Sequence, residues 1–246
     1  MSAEGGSQQA ENSDLSGVLT SIRQKMAAAC QRVGRNESEV TLMAVSKTVT
    51  AARVRAAILA GVKVLGENRV QEAEAKIAAL ADLRTQVEWH LIGHLQANKA
   101  RKAATIFDVV QAVDSEDLAL RLDRMAEEFG KRLTVFIEVN LGGEASKAGV
   151  TAAATLPLIE KVSRLPNLNL AGLMSVPPYS EEPEAVRPFF RRLRQLRDEA
   201  LQAGVAASSC TQLSMGMSHD FEIAIEEGAT LIRLGTALFG NRNYVL

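Results

Sequence analysis

The chain has 246 residues, 47% of them hydrophobic, enough to bury roughly 70–75% of the surface that the unfolded chain exposes, so wholesale disorder is excluded. Its 28 Lys and Arg against 29 Asp and Glu give a net charge of -1, which excludes the global positive field that draws a protein to nucleic acid or anionic membrane. Two cysteines, Cys30 and Cys210, are too few for a zinc cluster or a disulfide framework and read as buried thiols of a reducing compartment.

Residues 1–13 are mostly Ser, Gly, Gln, Glu and Asn, a composition that cannot offset the entropy of ordering, so this tail is expected to be disordered. The beginning lacks the basic and apolar regions of a signal peptide, and no apolar run approaches the ~18 residues of a membrane span. The expected compartment is the cytoplasm. From Leu15, the spacing of Leu15, Val18, Leu19, Ile22 and Met26 is the stripe of an amphipathic helix placed before the first strand.

Eight short apolar runs rich in β-branched residues follow: Val40 to Val45, Val62 to Leu65, Val87 to Ile92, Phe107 to Val110, Leu133 to Val139, Leu168 to Leu173, Thr211 to Met215 and Thr230 to Leu234. Segments of helical period alternate with them: Arg53 to Ala60, Val70 to Leu80, Asn98 to Ala104, Leu118 to Phe129, Ala152 to Val162, Val186 to Ala203 and Phe221 to Glu226. Strand and helix alternate without hairpin signals, so the pattern predicts an α/β chain folded as a (β/α)8 TIM-type barrel, with an open doubly wound sheet as the alternative. No linker divides the chain, and residues 14–246 are expected to form one domain.

In a parallel barrel the polar residues just past each strand share one mouth. Ser214-Met215-Gly216-Met217-Ser218 ends the seventh run and Gly235-Thr236 the eighth. Loops after strands seven and eight, leading into helix N-termini, are where such barrels bind phosphate. Glycines there let the backbone approach a ligand, or simply turn the chain. Lys47 ends the first run, where partial desolvation and a neighbouring cation would suit it to Schiff-base chemistry. The bland alternative is a solvated charge. A lysine opposite a phosphate site is the minimal set for pyridoxal phosphate, although sugar phosphates and nucleotides also fit a phosphate site alone. Arg233 lies inside the eighth run and needs a ligand or a partner, Glu138 or Glu67 being the candidates. His90, His94 and His219 form no metal-ligating pattern, and no nucleophile-elbow sequence occurs.

Taken together, Lys47 within Ala44-Val45-Ser46-Lys47-Thr48, Gly66-Glu67-Asn68-Arg69-Val70-Gln71-Glu72, Trp89-His90-Leu91-Ile92-Gly93-His94-Leu95-Gln96 and Leu213-Ser214-Met215-Gly216-Met217-Ser218 with Asp220 resemble the YggS/PROSC family, the pyridoxal phosphate homeostasis proteins. Val139-Asn140, Ser146-Lys147-Ala148-Gly149, Gly172-Leu173-Met174 and Ile232 to Gly240 extend the resemblance over residues 41–240. Arg69 stands where the pattern usually has Tyr, and Gln111-Ala112 where His-Ser is commoner. The resemblance implies a barrel like the N-terminal domain of alanine racemase. It also implies that Lys47 would carry pyridoxal 5'-phosphate as an internal aldimine. Ser214, Gly216, Met217, Gly235 and Thr236 would cradle the phosphate, Asn68 would lie near the cofactor, and Arg233 would face the pyridine nitrogen.

An arginine at that nitrogen disfavours its protonation, leaving the ring a weak electron sink. Racemisation also needs acid/base groups on both faces of the α-carbon. Alanine racemase takes its second base, a tyrosine, from a C-terminal β-domain that a chain of this length is not expected to include, and Tyr179 and Tyr244 offer no obvious replacement. A cofactor carrier or buffer acting in pyridoxal phosphate homeostasis is therefore expected, monomeric, with apoenzymes that require the cofactor as partners. A racemase-like enzyme and a Schiff-base sugar-phosphate aldolase are the alternatives.

Overall fold

A computed structural model describes residues 4–144 and 147–240, with only the backbone described over residues 4–14. The elements in chain order are α1 (Glu4–Arg32), β1 (Thr41–Val45), α2 (Ala51–Leu59), β2 (Val64–Glu67), α3 (Val70–Ala79), β3 (Glu88–Leu91), α4 (Ala100–Ile106), β4 (Val109–Val113), α5 (Glu116–Glu128), β5 (Leu133–Asn140), β6 (Val150–Thr151), α6 (Ala152–Ser163), β7 (Leu168–Met174), α7 (Arg187–Gln202), β8 (Gln212–Met217), α8 (Phe221–Glu226), β9 (Leu231–Leu234) and α9 (Thr236–Phe239). Residues 4–13, expected to be disordered, stand at the beginning of α1, continuing through Gln8, Gln9, Ala10 and Glu11, all adequate helix formers, while residues 1–3 lie outside the described residues.

The strands run β4, β3, β2, β1, β9, β8, β7, β5, and β4 pairs with β5 to close the ring. Every pairing is parallel. Eight strands and their crossover helices make the expected (β/α)8 barrel. The two-residue β6, which the sequence pattern is too short to reveal, pairs with Val139 and Asn140 of β5 outside the ring. Thr50, Ser115 and Thr151 each accept a backbone N–H at the start of the following helix, stabilising those turns by about 1 kcal/mol each.

The strand period of two sorts the core into layers. Ala44, Leu65, Trp89, Leu91, Val110, Ile137, Leu213, Met215, Ile232 and Leu234 face the helices and belong to the large core. Met43, Val64 and Leu231 form one apolar cluster within the barrel, and Val109, Phe136, Ala171 and Met174 another. His90, Gln111, Ser214 and Arg233 add a buried polar set. Gly66 is required by close packing: a Cβ there would stand 2.5 Å from Met43 Sδ. The stripe Leu15, Leu19, Ile22 and Met26 is buried, with α1 lying against α2, α8 and α9.

Candidate functional site

A cavity of about 370 Å³ opens at the carboxyl ends of the strands, lined by Val45, Lys47, Asn68, Ile92, Val176, Met217, Ser218, His219, Arg233, Gly235 and Thr236. That volume lies in the roughly 300–1,000 Å³ range of small-molecule sites. Six of the eight residues expected at the site line it: Lys47, Asn68, Met217, Arg233, Gly235 and Thr236. A larger space of about 730 Å³ opens at the amino ends of the strands, where Arg84 is already paired with Asp108 at 2.8 Å.

Lys47 is half-buried just beyond β1. Its two neighbours are anchored below it. Ser46 is fully buried and its Oγ donates to Glu67 Oε1 at 2.7 Å. Lys76, 7% exposed on α3, donates from Nζ to Glu67 Oε1 and Glu72 Oε1, each at 2.7 Å, and to the Ser46 carbonyl at 2.5 Å. Thr48 has φ +63°, a left-handed conformation that a β-branched residue adopts only when its surroundings hold it, at about 1–3 kcal/mol. Burial raises the Glu67 pKa against the opposing pull of Lys76 and Ser46. Burial also acts on Glu72, but hydrogen bonds from Lys76 and the Thr48 N–H outweigh it and hold that carboxyl low. Glu72 is thus the firmer anion of the pair.

Asn68 is brought to the cavity by Gly93, where a Cβ would sit 2.4 Å from the Asn68 carbonyl oxygen. Arg233, 4% exposed, points inward from β9. Its Nη1 donates to the Ser214 carbonyl at 2.6 Å and to Ser214 Oγ at 2.8 Å, and its Nη2 to the Ser175 carbonyl at 2.7 Å. Neither Glu138 nor Glu67 forms the ion pair considered from the sequence, Glu67 being taken by Lys76. Burial pulls the guanidinium pKa down to about 10 against the attraction of Asp220 and Glu138. Ser214 Oγ donates to Gln111 Oε1 at 2.6 Å, and Gln111 Nε2 meets His90 Nδ1 at 2.8 Å. A chain of hydrogen bonds therefore runs from the cavity into the barrel interior.

Two expected site residues do not line the cavity. Ser214, fully buried, is absorbed by this chain beneath Arg233 rather than turned to the cavity. Gly216, also buried at φ +91°, would place a Cβ 2.5 Å from Ala224 Cβ, so it lets β8 pack on α8. The strand extends through Met217, two residues past the expected run, and carries Ser214 into the barrel interior and Gly216 against α8. Ser218 takes their place: it lines the cavity, and its Oγ accepts from the backbone N–H groups of Gly235 and Ala237 at 3.2 and 3.1 Å. Val45, Ile92 and Val176 were also missed, since apolar wall residues carry no signal of their own in the sequence, and His219, weighed there only as a metal ligand, lines the cavity as well.

Glu138 stands on β5 with its Oε2 buried and unpartnered. Burial, helped by Asp114 and opposed by Arg233, pushes its carboxyl up to about 7. Tyr179 is 77% exposed and stacks on His219 at 5.9 Å between ring centres. Tyr244 lies outside the described residues.

The donor set fits pyridoxal phosphate. One primary amine, one amide, one buried guanidinium and a hydroxyl with adjoining Gly-Thr backbone surround a cavity whose walls, Val45, Ile92, Val176 and Met217, are apolar enough for a flat ring.

The family model for the alanine racemase N-terminal domain matches residues 19–243. A pyridoxal phosphate homeostasis protein of Aquifex aeolicus is 46% identical over 226 residues, 92% of this chain and 97% of that relative. Among solved structures, a protein of unknown function from Bifidobacterium adolescentis superposes with a TM-score of 0.88 at 36% identity, covering 94% of this chain and 96% of that one. PipY of Synechococcus elongatus, solved with PLP bound, superposes with a TM-score of 0.81 at 40% identity, covering 92% of this chain and all 100% of that one.

Proposed function

The chain belongs to the alanine racemase N-terminal domain family and, within it, to the pyridoxal phosphate homeostasis proteins, and on that premise we propose that it binds pyridoxal 5'-phosphate reversibly and buffers or carries it for apoenzymes. The observation that carries this reading is the convergence of Lys47, Arg233 and the Ser218–Gly235–Thr236 backbone on one cavity. When bound, the cofactor supplies an aldehyde that condenses reversibly with a primary amine. Lys47 is the attachment point; Met217, Ser218, Gly235 and Thr236 hold the phosphate; Asn68 and Arg233 flank the ring.

The same residues argue against turnover. Arg233, its donors fixed on the Ser175 and Ser214 carbonyls, repels a proton at a neighbouring ring nitrogen. Tyr179, exposed and stacked on His219, does not supply a second base. Among the described residues no helix is long and apolar enough to cross a membrane. We read the protein as a cytoplasmic monomer.

The test is the absorption spectrum of wild type and Lys47→Ala with added cofactor, before and after borohydride, with peptide mapping. The expected result is a band that reduction fixes on Lys47 and that Lys47→Ala lacks, with the variant's Tm within about 2 °C, since a strand-end amine contributes little packing. An unchanged band in Lys47→Ala, or no uptake by wild type, overturns the reading.

A further inference from the structure

The direction in which a side chain leaves the backbone is set by φ and ψ, and these are set by the two peptide planes on either side of its Cα. Both planes flanking Lys47 are held from below by one cluster of charges. The Ser46–Lys47 peptide offers its carbonyl to Lys76 Nζ at 2.5 Å. The Lys47–Thr48 peptide donates its N–H to Glu72 Oε1 at 2.5 Å. The two grips are joined, because Lys76 Nζ also bonds Glu72 Oε1 at 2.7 Å. Glu67 Oε1 completes the cluster, accepting from Lys76 Nζ and Ser46 Oγ at 2.7 Å each. Thr48, the one residue other than glycine with positive φ among the described residues, lies inside this grip. That is where strain has to be held by the surroundings. With Glu67 fully buried and Lys76 7% exposed, water does not compete for the bonds among Ser46, Glu67 and Lys76, whereas the Glu72 grip on the Thr48 N–H lies at the surface and is held through Lys76.

We propose that Lys76 is a positioning residue of the cofactor site: with Glu72 and Glu67 it fixes the backbone on both sides of Lys47 and so aims the Lys47 amine into the cavity. The proposal rests on Lys47 being the attachment point. It goes beyond that reading by assigning a role to a lysine that does not line the cavity, on a helix packed behind it.

The alternative is that the cluster merely fastens α3 to β1 and β2. Two ligands separate these roles: pyridoxal 5'-phosphate, whose aldehyde condenses with an amine, and pyridoxine 5'-phosphate, whose alcohol cannot. The variants are Glu72→Ala, Glu72→Gln and Lys76→Met, the first two guarding against a Lys76→Met chain that fails to fold. In Glu72→Ala, affinity for the aldehyde and the rate of borohydride trapping on Lys47 fall about tenfold or more, the scale on which small misplacements of a reacting group act, while affinity for the alcohol changes less than about threefold. Glu72→Gln, which keeps an oxygen to accept the Thr48 N–H, recovers most of the loss, and a folded Lys76→Met follows Glu72→Ala. Equal weakening of both ligands, or unchanged trapping in Glu72→Ala, overturns the proposal. Failure of wild type to be trapped on Lys47 overturns the underlying reading instead, and is seen before any variant is made.

Discussion

Two buried cations serve the cavity, Lys76 from behind it and Arg233 from its wall. Lys76 is enclosed by carboxylates, with Glu67 and Glu72 each at 2.7 Å, whereas Arg233 is enclosed by neutral oxygens, the Ser175 and Ser214 carbonyls and Ser214 Oγ. A buried charge is tolerated when hydrogen bonds and opposite charge replace water. Lys76 has both, so its field ends within the cluster and its effect is mechanical. Arg233 has the hydrogen bonds without a contact anion, so its field reaches the cavity it lines. One cation holds backbone, and the other makes the pocket receptive to an anionic ligand.

The largest expected effect breaks the two apart by stability. Lys76→Met leaves two carboxylates facing each other without their counter-charge, a loss of roughly 3–5 kcal/mol for a broken buried pair. Arg233→Met leaves only neutral acceptors unfilled, roughly 1–3 kcal/mol. At about 2–4 °C per kcal/mol for a chain of this size, thermal unfolding should drop by roughly 10 °C in the first variant and about half that in the second. Equal drops would show that the carboxylates around Lys76 add nothing beyond hydrogen bonding.

The asymmetry between these cations also marks where the sequence was legible. The eight strand runs and the strand-end placement of Lys47 follow from local periodicity, and period two alone turned Arg233 inward from its neighbours in Leu231-Ile232-Arg233-Leu234. Lys76 was not legible. On α3 it reads as a surface partner of Glu72 four residues earlier, and only the packing of α3 against β1 and β2 buries it. Ser214 is legible in part: Leu213 and Met215 imply by period two that it faces inward, but the expected run stops at Met215 while the strand continues to Met217. Gln111 lies in the middle of the barrel chain, yet it was visible only as a departure from a family pattern, since a buried glutamine's partners come from other strands.

Glu138 sharpens the comparison through pH, because it acts on Arg233 by charge without a hydrogen bond. Its carboxyl ionises near 7 in the folded chain against 4.5 ordinarily. Between those values the unfolded chain has lost the proton that the folded chain keeps, so stability falls as pH rises through this window. Glu138→Gln removes that dependence. Relative to wild type it should be nearly neutral at pH 5 and more stable at pH 8 by on the order of 2 kcal/mol, read from urea unfolding at the two values. A constant difference across that range would mean that Glu138 ionises normally, the attraction of Arg233 offsetting what burial and Asp114 oppose.

The smallest effects come from two serines four residues apart. Ser214 Oγ sits inside the Arg233 chain, accepting from Arg233 and donating to Gln111, whereas Ser218 Oγ faces the cavity and accepts from Gly235 and Ala237. Each Ser→Ala change removes a hydroxyl worth roughly 1 kcal/mol in net hydrogen bonding. In Ser214→Ala the loss falls on buried groups that water cannot reach, so it should register as lowered stability, with pyridoxine 5'-phosphate bound as in wild type. In Ser218→Ala the freed N–H groups border the cavity, where solvent or a phosphate can satisfy them. Stability should then hold, while affinity for the same ligand shifts by a few-fold. The reverse assignment, binding lost at 214 and stability at 218, would return Ser214 to the phosphate cradle and remove the neutral shell that distinguishes Arg233 from Lys76.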